Sequence, residues 1–408
     1  MTITDRRVEN LPRPALAVVS ADRGGVEVLD LRGEDWRDLC RDSVDDQPFY
    51  RPEWIAAHIR AFTPKAKVLL LTVTIEGELC LVLPLLEERS VFCGLPVRRL
   101  RAPVNGHSCR FDAVRRRGRR GDLALQSLWE FLRKLPAWDL LELEGIPAGG
   151  TLSALAVAAE REGFQTGQVP MSPNPYVPIP KHMPSLVELS RGEFRASELP
   201  VNKKLRSQLN GVRRNLSNKG QLRLQRFCKA EPEVLQRFYR LEGAGWKGAE
   251  RTAIASSIDS LQFYNEISRS AEELGWLSIY LLELDDHLLA AHWGLSYQGR
   301  YFSPKVAYDE NSKQWAPGHL IVEEILRDCS GRGIHEYDIT GQNDDWKRKW
   351  TSQTRPQCIQ FVFRKGTWGM LAHLLRFRVR PRLKKIVDRT LRKPLAETPP
   401  EATVSGDR

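Results

Sequence analysis

The sequence has none of the short motifs that would place a metal ion, a disulfide framework or a phosphate loop in this chain. Its seven cysteines include no Cys-x-x-Cys pair, which argues against a zinc ribbon and against a framework of paired disulfides. No His-Glu-x-x-His and no GxxxxGKS or GxxxxGKT occurs. We therefore expect neither a metal-dependent mechanism nor ATP hydrolysis by a phosphate loop.

Long apolar stretches are also missing. The longest, residues 68–73 and 81–86, are far shorter than the roughly 18 residues that a membrane-spanning helix needs. A chain of 408 residues with 41% hydrophobic content is long enough for two globular domains with full cores. The first residues carry an acid and no apolar segment of signal-peptide length, so we expect a cytoplasmic protein.

Acidic residues are absent or rare in two basic segments. Residues 203–226 contain eight basic residues and no acid, and residues 364–393 contain eleven basic residues and one acid. Because the whole chain has a formal net charge of only +11, the remainder is mildly acidic. Such a distribution does not suit a nucleic-acid surface spread over the fold.

Each basic segment has two interpretations. The first predicts an amphipathic helix with an apolar stripe of Leu205, Leu209, Val212 and Leu216 and an outer basic set of Lys204, Arg206, Arg213 and Arg214. That helix is either a solvated surface face or a grip on an anionic substrate. Residues 368–393 mix apolar side chains with closely spaced arginines, which is typical either of a helix on an anionic membrane or of a docked C-terminal helix with a basic outer face.

A β-hairpin, a third strand and a helix are predicted in close succession after residue 276. The hairpin strands are residues 277–284 and 288–296, and the third strand is residues 300–307. Pro304 suits a bulge or a splayed end of the third strand, into which a ligand could enter. A helix then begins at Pro317-Gly318 and continues to Cys329, and a short strand follows at 335–340.

The start of that helix is a candidate anion site. Its backbone N–H groups lie at the positive end of the helix macrodipole, and Gly318 leaves them uncrowded, so a pyrophosphate would fit there. The alternative is that Pro317-Gly318 is only a turn before a surface helix.

The same order of elements occurs in the first half of the chain. Residues 68–74 and 79–86 form a predicted hairpin, and a strand at 97–100, a helix at 123–135 and a strand at 139–143 follow. We interpret this order as a divergent duplication, with a boundary near 180–200, where prolines mark an extended connection. Polar, aromatic-poor termini predict disordered tails.

Several motifs together carry a family resemblance: Trp246-Lys247-Gly248, Phe263-Tyr264, Lys305-Val-Ala-Tyr-Asp309, Pro317-Gly318, Tyr337-Asp338 and Trp346-Lys347-Arg-Lys-Trp350. With residues 48–54 and 138–147 of the first half, they make residues 45–365 resemble the CelD/BcsL-like acetyltransferases of the GNAT type. These in turn resemble the FemAB peptidyltransferases, which carry two GNAT-like domains. One departure is that Pro317-Gly318-His319 stands where the family has a pyrophosphate loop with several glycines.

The resemblance implies an α+β or α/β fold with two GNAT-like domains in tandem, each a mixed sheet flanked by helices. The expected organisation is a disordered tail at 1–24, domains at 25–185 and 186–365, a basic amphipathic helix at 366–394 and a tail at 395–408. The implied reaction moves an acetyl or another acyl group from acetyl-CoA or another acyl-CoA to an amine or hydroxyl acceptor. The implied setting is polysaccharide or cell-envelope synthesis.

The resemblance and the chemistry of acyl transfer assign roles to single residues. Attack on a thioester needs a deprotonated acceptor, a donor to the developing oxyanion and a held pyrophosphate. The candidate catalytic residues are Lys347, Asp338 and His292; the candidate donor-binding residues are Lys305, Pro317, Gly318 and His319; the candidate substrate-binding residues are Arg110, Asp112, Trp246, Lys247 and Tyr308. The structural alternatives are a surface lysine for Lys347, a turn cap for Asp338 and a packed strand histidine for His292.

Two other functions stay open. One is aminoacyl transfer from a charged tRNA, as in the FemAB branch, in which residues 203–226 would meet RNA phosphates. The other is a non-catalytic scaffold in a polysaccharide-synthesis complex, docked to an anionic membrane through residues 368–393.

Overall fold

The computed structural model describes residues 16–180 and 202–382. Four predicted pieces lie outside the described residues: 1–15 and 395–408 of the tails, 181–201 of the connection and 383–394 of the basic helix. In the first half the helices are α1 (Gly33–Arg41), α2 (Pro52–Phe62), α3 (Arg119–Lys134) and α4 (Thr151–Arg161). The strands are β1 (Ala17–Gly24), β2 (Lys67–Ile75), β3 (Glu78–Phe92), β4 (Leu95–Arg101), β5 (Val114–Arg115), β6 (Leu140–Pro147), β7 (Gln165–Pro170) and β8 (Asn174–Pro178).

The second half continues the same alternation of helices and strands. Its helices are α5 (Lys203–Ser217), α6 (Pro232–Ala244), α7 (Trp246–Ala249), α8 (Ile258–Glu273), α9 (Pro317–Gly331), α10 (Asp345–Arg348) and α11 (Thr367–Leu374). Its strands are β9 (Leu222–Phe227), β10 (Leu277–Leu284), β11 (His287–Tyr297), β12 (Arg300–Tyr308), β13 (Glu336–Asp338), β14 (Thr354–Arg355) and β15 (Gln357–Phe363).

Two mixed sheets share one strand plan. The first has the order β1-β2-β3-β4-β6-β15-β7, with β5 paired to β3, and the second has the order β9-β10-β11-β12-β13-β8-β14. In both, the third strand after the edge pairs in parallel with the strand that follows a helix, β4 with β6 and β12 with β13. The predicted hairpins and their order are confirmed, as is the fold of two mixed sheets flanked by helices.

The two sheets exchange one strand each. Strand β15 of the second half lies between β6 and β7 in the first sheet, and β8 of the first half lies between β13 and β14 in the second. Each of these strands belongs in sequence to one predicted domain, 25–185 or 186–365, and completes the sheet of the other. Neither half builds its sheet alone. The limits of the two domains stay a prediction.

Alternate side chains of β10 pack on opposite helical layers. Leu281 belongs to the hydrophobic cluster of α6 and α8, and its neighbour Leu282 to the cluster of α5 and α9, as the two-residue period of a strand requires. The first cluster continues into the first half, where Trp54 of α2 meets Phe263 of α8 edge-on with 5.1 Å between ring centroids. One core thus holds both halves in register.

Two local expectations are wrong. Disorder was predicted for residues 1–24, but 17–24 form β1 and pair along the whole of β2, because a sheet edge supplies hydrogen bonds that composition does not reveal. Arg213 was placed on the outer face of the basic helix, yet it is buried and its guanidinium lies 2.9 Å from Glu323 of α9. The face of α5 that packs on α9 is wider than the apolar stripe of α5 and includes Arg213.

Candidate active site

Strands β12 and β13 diverge where the sequence predicted a splay. Their parallel pairing ends at Phe302 and Asp338. Two residues of β12, Ser303 and Pro304, then lie opposite the single Gly294 of β11, which is a β-bulge. Past the bulge β12 continues without β13 beside it. The predicted bulge is confirmed, and a gap opens in the sheet.

A cavity of ≈ 350 Å³ occupies this gap. It is bounded by α6, β11, the last part of β12 and the first turn of α9. Six residues that the sequence singled out line it: Lys247, His292, Tyr308, Pro317, Gly318 and His319. Lys305 is not among its lining residues; its ammonium lies over the Tyr264 ring. The fold therefore brings His292 and most of the predicted donor site together.

The first turn of α9 has the features of an anion site. Ala316 precedes it in the left-handed conformation with a φ of 45°, and Pro317 is its first residue. Gly318 is the second residue of α9. An N–H group in the first turn of a helix has no carbonyl acceptor within that helix. A Cβ on Gly318 would lie 3.3 Å from the Tyr308 ring, so a larger residue would crowd the approach. The exposed Lys313 also lines the cavity and adds positive charge.

The hydrogen bonding of His319 assigns its tautomer. Trp350 donates its indole N–H to His319 Nδ1 over 2.9 Å, so Nδ1 carries a lone pair. Burial, with a smaller contribution from Lys349, lowers the pKa of His319 to about 4. The imidazole is therefore neutral near pH 7, and its proton is on Nε2, where it can be donated to a ligand.

Glu242 of α6 is a site residue that the sequence reasoning missed. It is buried and lines the cavity. Its Oε1 lies 3.1 Å from Lys247 Nζ and 3.9 Å from Lys305 Nζ, and its Oε2 accepts the N–H of Ile254 over 2.8 Å. The sequence did mark this residue. Glu242 lies seven residues after Leu235, on the same apolar face of α6, where an acidic residue is unusual.

His292 lies at the base of the cavity. It is buried, and its Nδ1 is 3.0 Å from Ser303 Oγ and 3.4 Å from the Tyr337 hydroxyl. Burial, and then the charge of Lys247, lowers the pKa of His292 to about 3. The side chain is thus a neutral, oriented imidazole beside the acid and lysine of α6 and α7.

Asp338 is held in an ion pair between the halves. Its two carboxylate oxygens lie 3.0 and 2.9 Å from the guanidinium nitrogens of Arg110, and Oδ1 also accepts the N–H of Thr340 over 2.9 Å. Both charged side chains are buried. Asp338 therefore caps the turn after β13, as its structural alternative predicted, and Arg110 is occupied by the protein itself.

Lys347 supports the loop that follows β13. Its ammonium donates to the carbonyl oxygens of Thr340 and Gln342 over 2.9 and 2.8 Å and lies 3.5 Å from Asp344. Burial lowers the pKa of Lys347, and Asp344 opposes that shift. Lys347 is buried rather than on the surface, and its contacts fix the wall of the cavity that carries Trp346.

The remaining predicted residues lie elsewhere. Asp112 accepts the backbone N–H groups of Thr151 and Leu152 over 2.7 and 2.8 Å and so caps α4. With Arg110 it lines a different cavity of ≈ 500 Å³ between the halves. Trp246 is the first residue of α7. The two predicted substrate-binding residues of the first half, Arg110 and Asp112, therefore do not line the cavity at α9.

Residues 16–180 and 202–382 lack two kinds of feature. They contain no cluster of three or more His, Cys, Asp or Glu that could hold a metal ion. No helix in the same ranges has the length and apolar character needed to cross a membrane.

Known proteins are similar to this chain in one domain and in the overall fold. The model of the family described as acetyltransferase (GNAT) domain matches residues 203–348. FemX is 11% identical, with 83% of this chain and 98% of FemX aligned at a TM-score of 0.55. A tandem GNAT protein from the clavulanic acid biosynthesis pathway is 12% identical over 86% of this chain and 100% of its own, with a TM-score of 0.45.

Lower similarity extends to L-PGS from Bacillus licheniformis, which is 10% identical over 84% of this chain and 96% of its own, with a TM-score of 0.45. No curated protein sequence matches the chain. Residues 203–348 are therefore similar to the GNAT acetyltransferase domain family, and the overall fold of the chain is similar to that of FemX.

Proposed function

We propose that the protein transfers an acetyl or another acyl group from an acyl-CoA to an amine or hydroxyl acceptor in the cavity at α9. The observation that carries this proposal is one cavity that joins a helix start suited to phosphate with a buried carboxylate, a lysine and a neutral histidine. A GNAT domain match over 203–348 supports it.

Several groups suit a donor that carries a pyrophosphate. The Gly318 N–H, the Nε2–H of His319 and the ammonium of Lys313 supply donors or positive charge at one end of the cavity. Leu241 and Ala307 give its walls an apolar part, which suits an uncharged linker between the phosphates and the acyl group.

Glu242 is the proposed base. The acceptor must lose a proton as it attacks the thioester carbonyl, and a carboxylate within reach can take it. The carbon–sulfur bond of the donor then breaks, and the proton passes from Glu242 to the departing thiolate. Lys247 orients Glu242 through the 3.1 Å contact. His292 presents a neutral imidazole that can hold the acceptor by a hydrogen bond.

The cellular setting is proposed from the family resemblance and from the charge pattern of the sequence. We place the transferase in the cytoplasm, in polysaccharide or cell-envelope synthesis, with a peripheral contact to an anionic membrane through residues 368–393. The alternatives are aminoacyl transfer from a charged tRNA and a non-catalytic scaffold role.

Titration calorimetry tests the donor site. Acetyl-CoA and a longer acyl-CoA are titrated into the wild-type chain and into Gly318→Asp, which adds a carboxylate and a Cβ at the proposed phosphate position. Gly33→Asp is the matched control, because Gly33 is the first residue of α1 and has open space around it. We expect binding to the wild type and to Gly33→Asp and its loss in Gly318→Asp.

Absence of binding to both donors contradicts the acyl-CoA proposal. An assay of aminoacyl transfer from charged tRNA would then separate the two alternatives. Activity would support the tRNA-dependent transferase, and no activity would support the scaffold role. Binding that Gly318→Asp leaves unchanged would place the donor elsewhere. In Lys347→Ala we expect weaker binding, since the loop behind the cavity loses its support.

A further inference from the structure

Helix α11 is docked on the protein but turns apolar side chains outward. Its buried residues are Gly369 and Ala372, and Phe377 just beyond it lies 5.7 Å from the Phe361 ring of β15. On the outer side Met370 is 59% exposed and Leu374 is 46% exposed. A docked surface helix ordinarily presents polar residues to water, whereas the outer face of α11 presents apolar ones. The exposed arginines of this segment follow α11, at positions 378, 380 and 382.

Trp368 fixes the position of α11 on the first sheet. Its indole N–H donates to the carbonyl oxygen of Pro96 over 2.8 Å, which ties α11 to the turn between β3 and β4. We call the exposed set Trp368, Met370, Leu371 and Leu374 the apolar rim.

Positive charge flanks the apolar rim along the chain. Residues 364–382 contain six basic residues and no acid. Four of them, Lys365, Arg378, Arg380 and Arg382, are exposed. The outward apolar side chains of α11 therefore lie between exposed cations at both ends of this segment.

We propose that the apolar rim and its basic border bind the surface of an anionic phospholipid bilayer. Exposed Trp, Met and Leu side chains enter the boundary between headgroups and acyl chains, and arginines beside them pair with lipid phosphates. Charge complementarity selects this occupant, since an apolar surface bordered by one sign of charge matches the acyl chains and the phosphates together. This inference rests on the membrane contact put forward under the proposed function and names its surface and its lipid class. The surface lies outside the cavity at α9, so its failure would leave the proposed acyl transfer standing.

Vesicle co-sedimentation of the full chain tests this surface. Vesicles of phosphatidylcholine are compared with vesicles rich in phosphatidylglycerol, at low and high salt. Met370→Asp/Leu374→Asp removes the outward apolar side chains, and Ile258→Asp is the matched control, because Ile258 is exposed on α8, away from the apolar rim. Arg378→Gln/Arg380→Gln removes border charges, and the exposed Arg269→Gln is its control.

We expect binding to the anionic vesicles that weakens with salt. The Arg378→Gln/Arg380→Gln variant should lose about fivefold in affinity for each arginine removed, and Met370→Asp/Leu374→Asp should lose about tenfold or more. Both controls should bind as the wild type does. Circular dichroism and acyl-CoA titration of each variant confirm that the fold is intact.

Three results would overturn the proposal. One is no binding to anionic vesicles, and another is equal binding by the wild type and the Met370→Asp/Leu374→Asp variant. The third is a dimer in the absence of lipid that this variant dissociates, which would make a second copy of the chain the occupant. Sedimentation velocity of the lipid-free protein detects that dimer.

Discussion

The two halves use the same opening between parallel strands in opposite ways. In the second half the pairing of β12 with β13 ends just before a two-residue bulge of β12, and a cavity lies beyond it. In the first half β4 ends at Arg101, and residues 102–113 run along β6 before β5 rejoins β3: the N–H of Ala102 donates to Glu142 and that of Phe111 to Gly145, both over 3.1 Å. In the first half the filling loop, residues 102–113, therefore occupies the position that corresponds to the cavity of the second half.

That difference gives the halves separate tasks. The filling loop carries Arg110, which is buried against Asp338 at the end of β13, and Asp112, which caps α4. The first half therefore braces the sheet next to the cavity, and the second half supplies the residues that line it. Two sheets with the same strand plan thus serve as site and as support.

Arg110→Met breaks this brace and should have the largest effect. Asp338 would stay buried, with Arg355 at 3.5 Å as its remaining ion-pair partner, and loss of one partner of a buried pair costs about 3–5 kcal/mol. Urea unfolding measures the change. Arg60→Met, which removes a half-exposed ion pair with Glu266 across the same halves, should cost about 1 kcal/mol or less.

A cost for Arg110→Met as small as that for Arg60→Met would contradict the bracing role. In the double variant Arg110→Met/Asp338→Asn the uncompensated charge is gone, while the amide oxygen can still accept the Thr340 N–H. Its stability should exceed that of Arg110→Met alone.

Glu242→Gln tests which half performs the chemistry. Loss of the proposed base should lower the acyl-transfer rate by about 10²–10⁴-fold, with acyl-CoA affinity nearly unchanged. Release of the free thiol, followed with a chromogenic disulfide, measures the rate. Glu266→Gln on α8 changes a partly exposed acid outside the cavity and should keep the full rate; an equal rate in both variants would remove Glu242 from the mechanism.

Asp112→Ala probes how firmly the filling loop is held. Asp112 accepts two N–H groups at the start of α4, and loss of such a cap costs about 1–2 kcal/mol. Thermal unfolding detects the change, and the rate per folded molecule should stay that of the wild type. Asp38→Ala on the exposed face of α1 serves as control, and a similar effect of both substitutions would refute the capping role.

His58 should produce the smallest effect, a change in pH dependence. Burial lowers the pKa of His58 to about 4, whereas a histidine in an unfolded chain titrates near 6.5. Between these values the unfolded chain binds more protons, so this contribution to stability is complete above pH 6.5 and falls as pH is lowered toward 4. His58→Phe should reduce the slope of unfolding free energy against pH in that window.

The reduction should not exceed about 1.4 kcal/mol per pH unit, the value for one proton. Urea unfolding at several pH values measures the slope. The range from roughly pH 4.5 to 7 covers most of the window between the folded and unfolded pKa values of His58. The exposed His335→Gln is the control. A slope unchanged by His58→Phe would mean that burial does not keep this imidazole neutral.

The sequence by itself determined the local elements and their order. Alternating apolar residues predicted the hairpins at 277–284 and 288–296 and their counterparts at 68–74 and 79–86, and Pro317-Gly318 predicted the start of α9. Pro304 marked the bulge, and with it the place of the cavity. These features depend on periods of two and 3.6 residues and on the backbone limits of proline and glycine, which act between near neighbours.

Only the tertiary structure decided which distant groups meet. The exchange of β8 and β15, the pairing of Arg110 with Asp338 across 228 positions, and the approach of Lys305 to Glu242 all follow from packing. A carboxylate at a strand end reads equally well as a base or as a cap, because its role is set by the partners and the burial that the complete fold supplies. The chemistry of this site became specific when two similar sheets were packed into one core.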